Sequence, residues 1–476
     1  MTINQATSID ESAVLASISA ERLQEHLVRF STLFRDSGSE DEWKAARYIA
    51  GKMAEYGVQS EILEFDSLIS WPLEGKLELP DLDGKAVEQI QTRTRAFGQQ
   101  TPDGIVTARL AVAGDYTGLD GASKFVITAD GGPDGIRRAQ ERGAAGHIHI
   151  WPSDEDVVHE MIGTSVWGTP TPESAKRLPS IPALGVKNTD GEKIAAMLKQ
   201  GPVRARVESN VKTEWMRVPL VTAFIPGTAS DDYLLVGAHI DSWYEGITDN
   251  ATGDAALIEM ARVLGEHRAT LTRGVRFGWW PGHSTGRYSG STWFADTQFM
   301  ELRAHAIGYL NIDSPGVRET VEWDCRYNMG EIEHITGAVV RELSGQEPHV
   351  RRPLKAGDQS FLGVGIPSLG AYRMLPIDHP ERKAVGGCGG GYWWPSAEDT
   401  LDKADAKILA EDVAVYTAMT TRMCTPAVIP YNFIPSANDF IEHLGDLRAV
   451  AGSHFDLSEP IALAERLGTV AQALFV

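Results

Sequence analysis

Leu234–Ala261 reads LLVGAHIDSWYEGITDNATGDAALIEMA, and the fold follows from it. Leu234, Leu235 and Val236 form an apolar run ended by Gly237 and Ala238, the pattern of a buried strand reaching a sheet edge. His239 and Asp241 follow two apart, so in extended chain both side chains leave one face. A neutral imidazole is a good metal ligand, and a carboxylate beside it can take its other N–H and fix the tautomer. Asp249 to Gly253 come next, just before the apolar helical run Ala255–Leu264. Asp249 is therefore predicted on a loop leading into a helix, where backbone N–H groups and the helix dipole favour an anion. Two carboxylates and a histidine converge at the C-terminal end of a strand, where open α/β sheets bind ligands.

GAHIDSW…DNATGDAALIEMAR resembles the first metal segment of the M28 zinc aminopeptidase and carboxypeptidase family. The resemblance implies an α/β fold: a mixed sheet of the phosphorylase/hydrolase-like kind flanked by helices, with a metal-dependent hydrolase site. Helical spacing at Ile18–Phe30 and Glu40–Tyr56, then a strand at Val58–Phe65, suits the start of such a domain, residues 1–73. From 74 to 213 the chain is rich in Gly, Pro and short apolar runs. The order KFVITAD…GIRRAQERGAAGHIHIW…IPALGVKNTDGEKIAAML resembles a protease-associated (PA) domain, which in relatives shapes the substrate cleft. His147 and His149 are read as strand residues of this β-rich insert. Residues 214–428 return to the main domain, with Glu214–Pro226 and Asp232–Val236 predicted as an antiparallel hairpin and Val275–Trp280 and Ala306–Asp313 as further strands. The tail, 429–476, is helical in pattern and resembles the region that packs PA-bearing relatives into dimers, so a homodimer is expected.

The whole chain fits this reading. At 476 residues it exceeds one hydrophobic core. Its net charge of −21 argues against nucleic acid or an anionic membrane as partner. Cys325, Cys388 and Cys424 form neither a disulfide framework nor a CxxC site. The opening MTINQATSIDESAV lacks a basic start and an apolar core, and no run reaches the roughly 18 apolar residues of a membrane span. A cytoplasmic protein acting on a small molecule is expected.

The chain departs from the family at three places. Where the family carries a Glu-Glu pair, general base then ligand, this chain has Pro281-Gly282-His283-Ser284-Thr285. Asp313 stands where the next family ligand is expected. Pro395 stands where the last family ligand, a His, precedes the Glu398–Lys403 signature, and Gly357-Asp358-Gln359 replaces the family's common Ser-Asp-His. The losses fall on one of two metal sites and on the base. The implied site is mononuclear: His239, Asp249 and Asp313 hold one divalent ion, zinc first, with manganese, iron or nickel as alternatives. His283 becomes a base or a fourth ligand, and Asp241 a catalytic residue beside His239. Arg287 and Tyr288 are substrate-binding candidates, Arg287 as a carboxylate clamp. Trp243 and Trp394, with Trp279, Trp280 and Trp393, suggest a pocket for a flat or apolar substrate.

The function expected is an M28-like hydrolase acting on a small amide, a modified amino acid or an aromatic compound through metal-activated water. A mononuclear lyase or deaminase on the same scaffold and a catalytically inactive binding protein are the alternatives. A standard dinuclear aminopeptidase would need ligands from elsewhere, such as Asp358, His379 or Glu398.

Overall fold

The computed structural model describes residues 11–80, 87–102, 104–112, 124–384 and 387–474. The first ten residues, read above for a leader, lie outside this range. Tyr233–His239 is a central strand, buried along its whole length. It runs parallel to Gly274–Trp280 on one side and Ala306–Asn311 on the other. Strands buried on both faces carry continuous apolar runs, as Leu234–Val236 does. The predicted hairpin of Glu214–Pro226 with Asp232–Val236 does not form. Gly274–Trp280 lies between the two segments and pairs antiparallel with Arg204–Ile225. The central position, with parallel neighbours, is the one that covers both faces of Tyr233–His239.

Two strands of 22 residues, Gln59–Pro80 and Arg204–Ile225, pair antiparallel and carry the chain out of the main sheet and back. The boundaries read at 73/74 and 213/214 fall inside these strands, so paired strands run from one part into the other. Beyond them, Val106–Val112, Lys124–Thr128, Gly146–Ile150, Ala183–Val186 and Thr92–Thr94 continue the pairing around to Gln59–Pro80. This sheet has its own buried core, including Leu77, Phe125, Ile148 and Val207.

The helices Ala20–Phe30, Glu40–Glu55, Thr252–Glu266 and Ala406–Cys424 share one hydrophobic core with the main sheet. Ser39 caps the second of these, its Oγ accepting the Glu42 N–H at 3.2 Å, as the sequence predicts. Residues 252–264 are all buried, which fixes the helix following Asp249 at the centre of the molecule. The last two helices, Ile434–Ala451 and Ser458–Leu474, leave Phe440, Leu447, Val450, Leu463 and Val470 exposed. Among the described residues no helix is long and apolar enough to cross a membrane.

Candidate metal and catalytic centre

His239 ends the central strand and is almost fully buried. Its Nδ1 lies 2.9 Å from the backbone carbonyl of Asp241. That carbonyl accepts a proton and offers none, so Nδ1 carries the hydrogen. Nε2 then meets Asp249 Oδ1 at 3.0 Å and Asp313 Oδ1 at 3.7 Å. Burial works against a charged imidazole, yet the two carboxylates outweigh it and hold His239 well above its ordinary pKa. Burial also raises Asp313, and His239 outweighs that too, leaving Asp313 at about 2. Three acceptors thus face one another, and a cation or a proton must stand among them. Imidazole nitrogen with carboxylate oxygen is a donor set that suits a divalent ion such as zinc. His239, His283 and Asp313 each offer a ligand atom within 4.8 Å of the others. The residues present therefore fit a metal ion.

Buried polar groups hold the turns in place. Asn250 Nδ2 donates to the Ile312 carbonyl at 3.1 Å, and its Oδ1 accepts the Ser314 N–H at 3.0 Å. The Asp249 and Asp313 turns are thereby tied together. Asp399 accepts the N–H groups of Thr248 and Asp249 and the Thr248 hydroxyl. Burial pushes Asp399 up to about 7, against the opposing pull of those Thr248 hydrogen bonds. Arg35, also buried, donates to the carbonyls of Ile240, Glu245 and Gly246. Neither Arg35 nor Asn250 stood out in the sequence as a site residue.

Asp241 is placed differently from the sequence reading. Its backbone, and not its carboxylate, takes the His239 N–H. The carboxylate accepts the Ser37 hydroxyl at 3.0 Å and the N–H groups of His283 and Ser284 at 2.9 and 2.8 Å. It is fully buried and anchors the loop that carries His283. His283 stacks on His239 with ring centroids 3.8 Å apart and planes 13° apart. Its Nδ1 is 2.7 Å from Asp358 Oδ2, and Ser291 Oγ donates to Asp358 Oδ1 at 2.7 Å. Asp358 is thus occupied in orienting His283.

The other candidates separate. Trp394 Nε1 donates to Asp249 Oδ2 at 2.8 Å, joining it directly to the centre. Trp393 donates to Thr248 Oγ1 at 3.0 Å, and Trp279, Trp280 and Trp393 are fully buried, so these three pack the interior. Trp243 packs with Ala96, Phe97 and Ile162, away from the centre. Tyr288 sets its ring edge against His283 at 4.8 Å. The Arg287 guanidinium lies 4.8 Å from the Tyr288 ring and 5.9 Å from that of Trp167. Among the described residues no carboxylate pairs with Arg287. Trp167, from the insert, packs on Tyr288 at 4.4 Å and donates to Ser360 Oγ at 3.0 Å. Nothing in its surrounding sequence marked it. A cavity of about 70 Å³ opens beside Asp313, lined by Asn311, Tyr327, Gly357, Tyr372 and Cys388.

The substitute ligands are engaged elsewhere. His379 pairs with Glu319 at 3.0 Å in a separate group with Glu381. Glu398 is exposed. In the insert, His147 Nε2 lies 3.1 Å from the Asp130 carbonyl and His149 Nδ1 lies 3.0 Å from Arg95. Burial pushes His147 down to about 4, and burial with Arg95 pushes His149 to about 2. Both are strand residues, and neither belongs to a metal-binding group among the described residues.

A strand-end histidine thus faces two carboxylates at the C-terminal edge of parallel strands. Residues 221–415 match the model for peptidase family M28. A probable glutamate carboxypeptidase of Zea mays is 24% identical over 332 residues, 56% of this chain and 46% of that protein. The chain therefore spans about half the length of that curated relative. An aminopeptidase from Aneurinibacillus sp. strain AM-1 superposes with a TM-score of 0.68 at 21% identity, covering 88% of this chain and 97% of its own. A zinc aminopeptidase from Bacillus subtilis does so at 0.64 and 20% identity, covering 84% and 94%. At these identities the structural likeness carries the fold: a mixed α/β sheet flanked by helices.

Proposed function

We propose that this chain is an M28-like hydrolase with one divalent ion, held by His239, Asp249 and Asp313, and with His283 as its general base. The observation that carries this reading is the His283–Asp358 pair, 2.7 Å apart and stacked against His239. Zinc is the proposed ion, in keeping with the donor set and with the Bacillus subtilis relative. Such an ion supplies Lewis-acid polarisation of a carbonyl and a lowered pKa for bound water. The chain's own residues do the rest. Asp358 accepts a hydrogen bond from His283 Nδ1–H and fixes the ring, which leaves Nε2 to take a proton from the attacking water and return it to the leaving amine. Arg287, a cation without a carboxylate partner among the described residues, orients an anionic group of the substrate. Trp167 and Tyr288 supply a flat apolar wall beside it.

Three features support a single ion. Ser284 or Thr285, and Pro395, stand at family ligand positions, and a hydroxyl or a proline cannot replace a Glu and a His. The Asp249 oxygen left for a second ion already accepts the Trp394 N–H, and a donor hydrogen is the wrong sign beside a cation. Asp358, His379 and Glu398 are engaged or exposed. The proposed substrate is a small amide or modified amino acid with a free carboxylate, matching Arg287 and the confined cavity at Asp313. The proposal includes a homodimer formed through the exposed apolar faces of the last two helices, to be checked by mass in solution.

The test is metal content per chain by elemental analysis. About one ion supports the proposal, two overturns it in favour of a dinuclear peptidase, and none after metal is supplied points to a binding protein. His283→Ala should keep the ion and lose on the order of 10²- to 10⁴-fold in kcat on N-acyl amino acids. Loss of the ion would make His283 a ligand instead.

A further inference from the structure

A second cavity, of about 270 Å³, lies where the insert meets the main domain. Its walls include Trp71, Trp243 and Tyr244, and its polar groups are Asp36, Glu160 and Arg93. It shares no residue with the metal centre, but Trp243 and Tyr244 belong to the loop between His239 and Asp249. We propose that this junction cavity binds a small organic ammonium ion, a primary amine carried on an aromatic or aliphatic body.

The charges facing the cavity carry the argument. Glu160 is buried, and its Oε1 accepts the Tyr244 hydroxyl at 2.6 Å and lies 3.5 Å from Arg93 Nε. Among the described residues its Oε2 is buried without a hydrogen-bond partner. Arg93 is the cavity's own cation, resting 5.6 Å from the centre of the Tyr244 ring. Lys212 lies over Trp71 at 4.9 Å and is paired with Glu214 at 2.6 Å. Asp36 has no such balance. Among the described residues nothing donates to its carboxylate and no cation pairs with it. Arg35 beside it is turned to Asp254, 3.9 Å away, and to the backbone of the 240–246 loop. Burial, then Glu160 and Asp241, push Asp36 up to about 7. The cavity is thus lined by two carboxyl groups and one guanidinium, and the guanidinium lies against Glu160 and leaves Asp36 without a paired cation among the described residues.

Aromatic faces around a carboxylate are what an ammonium ion needs. The rings supply cation–π attraction, worth about 0.5–2 kcal/mol each depending on desolvation, and the carboxylate supplies charge-assisted hydrogen bonds. An anion would face Asp36 and Glu160, and a neutral apolar molecule would leave Asp36 unbalanced. The volume lies below the roughly 300 Å³ at which pockets for drug-sized ligands begin, so the ligand is small. Trp71 and Pro72 lie on the long strand that crosses into the insert, and Ser37, next to Asp36, donates to Asp241. A bound amine therefore touches both parts of the molecule and the support of the His283 loop.

The test is calorimetric titration of the full chain, in its metal-loaded form, with 2-phenylethylamine, and with phenylacetate and 2-phenylethanol as anionic and neutral counterparts. The amine should bind once per chain while the other two do not. Asp36→Asn should weaken it at least tenfold, and Asp313→Ala should leave it unchanged, which separates this cavity from the metal centre. Glu160→Gln, expected to weaken binding in the same direction, decides the matter if Asp36→Asn does not fold. Failure of the amine to bind, equal binding of all three compounds, indifference to both substitutions, or loss of binding in Asp313→Ala would each overturn the proposal.

Discussion

Asp313 and Asp399 both reach the turn that carries Asp249, yet their surroundings push them in opposite directions. Asp313, facing His239, is held at about 2, whereas Asp399, facing backbone N–H groups and a threonine hydroxyl, is pushed up to about 7. Burial raises both. The difference is the imidazole, a group that can carry positive charge, on one side, and neutral dipoles on the other. Acidic residues clustered in a fold therefore do not by themselves locate a cation. The side where carboxylates meet a nitrogen lone pair does, and the side where each oxygen already accepts a hydrogen serves to hold the backbone. The same contrast divides Asp249 itself: Oδ1 faces His239 and Oδ2 accepts the Trp394 indole.

The largest effect expected from breaking this contrast is at Asp313. Asp313→Ala should reduce bound metal from about one ion per chain to a small fraction of that, and hydrolysis should fall with it. Full metal content in the variant would place the ion elsewhere. Asp358→Asn acts one step further out. It keeps an acceptor for the Nδ1 hydrogen but removes the charge that steadies the imidazolium, so kcat should fall about 10- to 100-fold with metal content intact. An unchanged kcat would leave Asp358 a packing residue.

How much of this was legible follows from how far apart the partners are in the chain. His239, Asp249 and Asp313 stand at strand ends and next to a helix start, where local pattern speaks directly. The paired interactions that decide their chemistry are remote. Trp394 and Asp249 are 145 residues apart, and His283 and Asp358 are 75 apart. No periodicity links such residues. Asp241 misled because HxD spacing shows that two side chains share a face but not which atoms satisfy the imidazole. The misplaced hairpin has a similar cause: neighbours in sequence, joined by a short turn-rich link, were read as neighbours in the sheet, while burial demanded a central position. The buried tryptophans illustrate the limit of composition, since an indole beside a site segment packs a core as readily as it lines a pocket.

Trp394 tests the divided carboxylate with a smaller effect. Trp394→Phe leaves Asp249 Oδ2 without its donor, and a buried acceptor left unpaired costs about 1–3 kcal/mol. Denaturant unfolding of the metal-free protein should register that loss, with metal content still near one ion per chain once metal is supplied. A second ion in the variant would mean that the indole alone, rather than the missing Glu and His, had excluded it.

The smallest effect concerns a carboxyl on the neutral side of the comparison, remote from the proposed ligands' own contacts. Asp412, in the helix Ala406–Cys424, is fully buried and accepts the Gly316 N–H at 2.8 Å. Burial pushes it up to about 7, against the pull of Arg373 at 3.4 Å, a residue also paired with the exposed Glu411. An acid whose pKa is raised by folding binds its proton more tightly in the folded state. Between its unfolded value near 4 and its folded value near 7, the folded chain therefore holds a proton that the unfolded chain has released. Its contribution favours folding most at low pH and declines as pH rises through that window, by at most roughly 1.4 kcal/mol per pH unit. Asp412→Asn keeps an acceptor for Gly316 and cannot ionise, so its stability should fall less than that of the parent between pH 5 and 7 in parallel urea titrations of the metal-free protein. Equal slopes would mean that Arg373 keeps Asp412 charged, and the contrast between paired and unpaired buried carboxylates would then apply only at the metal turn.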